Sequence, residues 1–291
     1  MRSLHRESRR IGGTVFRARV LEFAGARVSL GLLSVMVMCA ITAPWISPYD
    51  PQQLLDPIAL RSQLPTWAHP LGTDPYSRDI LSRLLAGARV SLALSVAAVA
   101  MSTLSGVMVG LCSATMGGRT DRLLMRVTDV GLSVPRVLLL LTMVGVWGAP
   151  SMGVLVVVLG LTGWMSLARL VRSELLALRQ HDRILAAHAI GLHPLRILRD
   201  HLLPTVAPLI VVSATMAIGQ VLLLESGLSF LGIGVPAPLA SWGTILLDVG
   251  DVIGPGRWLA IGPGVVLVAT VVSVQRVGEA LASAMGVRSP S

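Results

Sequence analysis

Six stretches of this 291-residue chain are almost wholly apolar: 28–46, 90–116, 128–147, 154–171, 206–231 and 258–274. Each is close to the ~20 residues that an α-helix needs to cross the hydrocarbon core of a bilayer. Lipid offers no water to a backbone N–H or C=O, so each run must close its own hydrogen bonds and fold as a helix. The chain is therefore expected to be an all-α polytopic membrane protein with six transmembrane helices. Composition agrees, with 53% of residues hydrophobic and only 13% charged, at a mean hydropathy of +0.75. Cys39 and Cys112 both fall inside apolar runs. Two such residues define no disulfide or metal framework, and helix packing accounts for them.

The charges lie between the runs and orient them. All 24 basic residues are Arg. Six spans put both termini on one side. The N-terminus, 117–136, 169–203 and the tail share that side and hold 19 arginines, against Arg61, Arg78, Arg83, Arg89 and Arg257 on the other. Basic residues collect in cytoplasmic loops, so the N and C termini and 169–203 are expected in the cytoplasm. The net charge of +9 is then explained by orientation and by anionic membrane lipid, and no nucleic acid is implied. Residues 1–27 carry seven Arg, a basic start that a signal peptide shares. The run that follows is longer than a signal-peptide core and ends at Pro44-Trp45 rather than at a small-residue cleavage site. An uncleaved first span is expected.

The longest charged interval runs from Arg172 to Pro208 and has the pattern of two short helices joined by a turn. Asp182 can cap the first helix through its carboxylate. Gly191 sits where a helix ends on a left-handed residue. Pro194 stands at a first helical position, where its missing N–H costs nothing. Ala186, Ala187 and Ala189 keep the first helix thin, so another protein's backbone could come close. Ile184, Ala187 and Gly191 recur on one helical face. Leu203-Pro204 then opens the next apolar run. Ala186, Ala187, Gly191 and Leu203-Pro204, placed between two spans, resemble the cytoplasmic EAA loop of ATP-binding-cassette importer permeases. Leu185 stands where that family has its acid, so no ionic contact is expected from this position.

Two further regions carry the resemblance. His69-Pro-Leu-Gly-Thr-Asp74, then Arg78-Asp-Ile-Leu-Ser-Arg83 and Gly87-Ala-Arg-Val-Ser-Leu92, are similar to the segment before the second span in the dipeptide, oligopeptide and nickel branch. In this segment Asp74-Pro75 has the form of a cap and a first-turn Pro. Ile80, Leu81, Leu84 and Leu85 make an apolar stripe that ends at Gly87, as in an amphipathic helix lying on a membrane surface. His69 has no partner His or Cys nearby, and a turn role is expected of it. Glu225-Ser-Gly-Leu-Ser-Phe-Leu-Gly-Ile-Gly234, followed by Ser241-Trp-Gly243, resembles the fifth-span segment of the dipeptide-type permeases. A carboxylate at Glu225 is costly in lipid and should face the bundle interior or a water-filled path. Glu225, Ser226 and Ser229 are the candidate pathway residues. The alternative for Glu225 is a place near a membrane edge, bonded to backbone exposed by Gly227. Gly106 and Gly110 stand four apart in the second run, a spacing that lets helices approach closely.

The resemblance implies a type-I importer transmembrane fold, one half of a pathway completed by a second homologous permease. It implies two cytoplasmic ATPase subunits, an extracytoplasmic solute-binding protein, and a site in the bacterial inner membrane. The solute it points to is a di- or oligopeptide or a nickel complex. The expected organisation is a tail at 1–27, a first span and outer segment with the amphipathic helix at 28–88, a five-helix domain at 89–285 with its coupling loop at 172–205, and a tail at 286–291. No enzyme is expected. A Walker segment needs a Lys, which the chain lacks, and His181, His188, His193 and His201 show no His-Glu-x-x-His spacing. Neither a metal site nor a cofactor is expected on this chain; ATP and Mg belong to the partner ATPases. The competing function is a proton-coupled secondary transporter using Glu225, which an internal inverted repeat would favour.

Overall fold

A computed structural model describes residues 24–56, 58–147, 151–250 and 259–286. The described residues form a bundle of eleven α-helices and one π turn. The first span is α1 (Ala24–Ile46). The next helix, α2 (Ile80–Met116), is 37 residues long, about 55 Å at the rise of an α-helix. Its length exceeds a ~30 Å hydrocarbon core, so part of it stands clear of the membrane. The stripe Ile80–Leu85 is therefore the start of the second span, and the expected separate surface helix ending at Gly87 does not exist. The physical reason is packing. A Cβ on Gly87 would lie 3.2 Å from the carbonyl carbon of Ser241 and from the Trp242 ring, so this glycine permits close approach and ends nothing. Nor is Asp74 a helix cap. Asp79 caps α2 by accepting from the Ser82 amide at 2.8 Å, and Asp74 instead accepts from the Tyr76 and Arg78 amides.

The third span is sharply bent, and the fourth carries a two-residue interruption. α3 (Gly118–Ser133) and α4 (Arg136–Trp147) meet at a 90° bend, where Pro135 has no N–H to continue the ladder. α5 (Met152–Leu161) and α6 (Trp164–Leu178) are separated by Thr162-Gly163. α7 (Asp182–Ala189) and α8 (Pro194–Ile197) follow. A π turn, Leu198–Leu202, then leads without a gap into α9 (Leu203–Phe230). α10 (Trp242–Gly250) and α11 (Ile261–Ala284) complete the bundle. By length and apolarity five helices can cross a membrane, or six when the bent pair counts as one.

The cores explain which helices lie together. Leu94 and Ala98 of α2, Leu140 of α4, Leu155 and Leu159 of α5 and Val221 of α9 are buried in one cluster. Trp242, fully buried, joins α10 to Ala40 of α1, Ala88 of α2, Leu222 of α9 and Leu267 of α11. Gly106 and Gly110 form a tight seam, since a Cβ on either would stand 2.8 Å from a backbone oxygen of α6, Trp164 or Ala168.

Candidate functional site

The interval between α6 and α9 folds as a helix, a turn and a second helix. Gly191 has φ +77°, the left-handed conformation that only glycine adopts without strain. The Leu192 amide donates back to the Ala187 carbonyl at 3.1 Å, which closes the end of α7. α8 begins at Pro194 and runs through the π turn into Leu203 and Pro204, so the second short helix is the root of the next span.

Two of the loop expectations change. Asp182 is the first residue of α7 rather than its cap, and the His181 carbonyl accepts from the Ile184 and Leu185 amides. Its carboxylate still opposes the positive end of the helix dipole. Ala187 is not on the outer surface. Ile184 and Ala187 are buried with Ala114, Val171, Leu175 and Ile197, because the i, i+3 stripe of α7 is needed to dock the loop on its own bundle. The face left open is Leu185, Ala186, Ala189 and Ile190, with Leu185 53% and Ile190 76% exposed. Beside it lies a cavity of about 440 Å³ lined by His181, Asp182, His201 and Thr205. His188 has no described side chain.

Glu225 is 1% exposed, and Ser226 and Ser229 are equally enclosed within this chain. Its carboxylate accepts from Ser229 at 2.8 Å, Ser91 at 3.1 Å and Ser226 at 3.4 Å. Two of these hydroxyls carry the network onward. Ser91 accepts from the Trp242 amide at 3.2 Å, and Ser229 accepts from the Val235 amide at 3.0 Å. Glu225 is thus a buried knot that ties α2, α9 and the 235–242 crossing together. Within this chain it is closed off from solvent, and its hydrogen bonds among the described residues go to serine hydroxyls rather than to backbone near Gly227. The serine hydroxyls satisfy its carboxyl oxygens, which is how an acid is tolerated in this apolar interior.

A second polar knot holds the segment between α1 and α2. Asp74, fully buried, pairs with Arg78 at 2.7 Å and with Arg83. Both arginines also reach Asp248 of α10 at 2.7 Å. The His69 ring bonds Asp79 at 2.9 Å, while the His69 carbonyl accepts from the Thr66 and Gly72 amides in a turn. Asp248 lies 170 positions from Arg78, and nothing local in the sequence announces the pair. A third contact, Arg172 to both oxygens of Asp121 at 2.5 and 2.6 Å, holds α6 against α3.

Comparison with known proteins identifies this architecture. The family of binding-protein-dependent transport system inner membrane components matches residues 106–287. The N-terminal TM domain of oligopeptide transport permease C matches residues 24–65. The nickel transport system permease protein NikC of Escherichia coli (strain K12) is 38% identical over 255 residues, 88% of this chain and 91% of that protein. The oligopeptide transport system permease protein OppC of Bacillus subtilis (strain 168) is 34% identical over 262 residues, 89% and 84% of the two chains. A putative peptide permease protein of Brucella suis biovar 1 is 35% identical over 273 residues, 93% and 89%. The fold is that of a chain in the structure titled "Inward facing conformations of the MetNI methionine ABC transporter", with a TM-score of 0.59 and 22% identity over 71% of this chain and 97% of that one. With these family matches and relatives at this identity and coverage, the chain belongs to the inner-membrane permease subunits of binding-protein-dependent ABC importers.

Proposed function

We propose that the chain forms one half of a solute pathway, paired with a second homologous permease. Two ATPase subunits drive it from the cytoplasm, where ATP and Mg are bound and hydrolysed, and an extracytoplasmic protein delivers the solute. This chain has no ATPase site of its own. Its solute is a di- or oligopeptide or a nickel complex, the range that the names of its relatives span.

The observation that carries the proposal is the loop. A helix, a left-handed glycine and a second helix root stand between two spans, with one apolar face docked on the bundle and another left open. A mere connector needs neither. The open face of Leu185, Ala186, Ala189 and Ile190 is the surface offered to an ATPase, and Gly191 sets the angle of α7. Leu203 and Pro204 join the loop to α9, so displacement of α7 is handed to a span. The 19-to-5 distribution of arginines supports a cytoplasmic loop and cytoplasmic termini. The proton-coupled alternative has no support, since Glu225 is enclosed by serines.

The test is to purify the tagged chain with its operon neighbours and assay solute uptake in vesicles. A copurifying ATPase is expected, with uptake of labelled dipeptide or nickel that requires ATP. Leu185→Asp is expected to leave insertion intact and abolish that coupling. Uptake that persists without ATP and collapses with the proton gradient would overturn the proposal.

A further inference from the structure

The two ends of α9 serve different surfaces. The helix begins at Leu203, beside the loop, and ends at Phe230 after 28 residues, about 42 Å away at the rise of an α-helix. Beyond Phe230 the chain crosses to α10 in turns. A cavity of about 470 Å³ lies beside this crossing, lined by Gly234 and Leu239 of the crossing, Gln52 and Arg78 of the segment before α2, Arg83 of α2 and Asp248 of α10. Its volume is in the range of small-molecule sites. Since the loop and the cavity stand at opposite ends of α9, a loop that faces the ATPases leaves the cavity facing the side from which solute is delivered.

The knot of Asp74, Arg78, Arg83 and Asp248 brings its charge to this cavity. Asp74 and Arg83 are its enclosed members, with side chains 0% and 4% exposed. Arg78 and Asp248 are its open ones, at 19% and 21%. Two cations stand against two anions, so the knot favours neither a lone anion nor a lone cation. Its hydrogen bonding is nevertheless unfinished on both sides. The Arg83 Nε is buried without a hydrogen-bond partner, and an unmet buried donor is costly. Each guanidinium also keeps N–H donors beyond those given to the aspartates. Both arginines reach Asp248 through Oδ2, and among the described residues Oδ1 accepts nothing. A ligand that carries an anionic and a cationic group together fits this floor. It adds no net charge, brings acceptors to the arginines and brings a donor to Oδ1. A small peptide with free termini is such a ligand.

We propose that this cavity is the receiving site for a zwitterionic solute of dipeptide size. Asp248 takes the ammonium group through Oδ1, and Arg78 and Arg83 take the carboxylate. The inference rests on the importer function above, and it narrows the solute to a peptide whose two termini are free.

The experiment uses the assembled transporter, with its ATPases and without the binding protein, in lipid nanodiscs and with Cys39 and Cys112 replaced by Ser. Gln52→Cys, exposed and lining the cavity, reports occupancy through its rate of reaction with sulfonatoethyl methanethiosulfonate. Alanyl-alanine is expected to slow that reaction saturably, about tenfold when it stands an order of magnitude above its half-effective concentration. Acetyl-alanyl-alanine amide, which carries neither charge, should leave the rate unchanged. Ile58→Cys, 93% exposed and outside the cavity, is the control and should respond to neither. Asp248→Asn and Arg78→Gln should each remove the protection. Because both side chains also hold the outer segment, the comparison of free with blocked dipeptide is made first with the knot intact, and it decides the matter without these variants. No slowing up to about 10 mM, above the usual range of KM, would overturn the inference, and so would equal slowing by the blocked dipeptide. Slowing by nickel with histidine and not by the dipeptide would overturn the solute class. Absence of any copurifying ATPase would overturn the importer function itself, and this inference with it. The labelling pattern with the ATPase present judges the site alone.

Discussion

Glu225 shows what a single buried carboxyl group demands of its surroundings. Left bare at the centre of a bilayer, an acid costs about 3 kcal/mol on insertion scales. Here three serine hydroxyls from two helices converge on the carboxylate. Glu225→Gln keeps an acceptor for these hydroxyls, and its cost is expected to stay within about 1 kcal/mol. Glu225→Ala strands them and opens a cavity, with an expected loss of about 2–4 kcal/mol. Thermal unfolding of the purified complex checks both, and equal melting temperatures for the two variants would remove the structural role. Gly191 poses the opposite problem, because space is not its constraint. A Cβ there meets nothing within 4 Å, so the whole penalty lies in φ +77°, roughly 1–2 kcal/mol for an L-residue. Gly191→Asn should transport nearly as the parent does, since Asn visits this region. Gly191→Val should insert and fail in uptake.

At the scale of elements, α7 divides its residues between two tasks. Ala187→Trp pushes a large ring into the cluster of Val171, Leu175 and Ile197. Overpacking of this kind costs about 1–3 kcal/mol, so the amount of inserted protein is expected to fall. Ala186→Trp lies on the open face and should leave that amount unchanged while ATPase attachment is lost. Quantitative blotting of membranes beside copurified ATPase separates the two outcomes. The all-helical membrane-spanning fold and the turn at Gly191 were legible in the sequence, because hydropathy and turn chemistry are local; the expected six spans are five, or six with the bent pair counted as one. Alternation of breaks and packing was not. Pro135 lies near the start of an apolar run and gives no sign that its helix turns by 90°. Gly87 resembles a helix stop, yet Trp242, far along the chain, requires a glycine there. The partner of Arg78 and Arg83 could not be found locally either, since Asp248 comes from another element. The inward turn of Ala187 follows from the i, i+3 stripe it shares with Ile184, a pattern that marks a face without saying which neighbour covers it.

For the whole molecule, orientation is the first thing to measure. Reporter fusions at Ala59 are expected to report the outside, and fusions at Arg122 and His193 the cytoplasm. An outside signal at His193 would remove the loop from reach of any cytoplasmic ATPase. Motion is the second. The glycine seam brings α2 and α6 so near that a single added methyl would meet backbone oxygen, and surfaces interlocked at that distance do not slide. α7 rests on the same pair through Ala114, Val171 and Leu175. α2, α6 and α7 are therefore expected to move as one unit when the exposed face of α7 is pushed. Spin labels at Met108 and Leu170, both exposed, should keep one separation through the whole ATP cycle. Flexing is then expected at joints outside this unit, the bend before Arg136 and the π turn before Leu203, so that a small tilt at one surface becomes a sweep at the other.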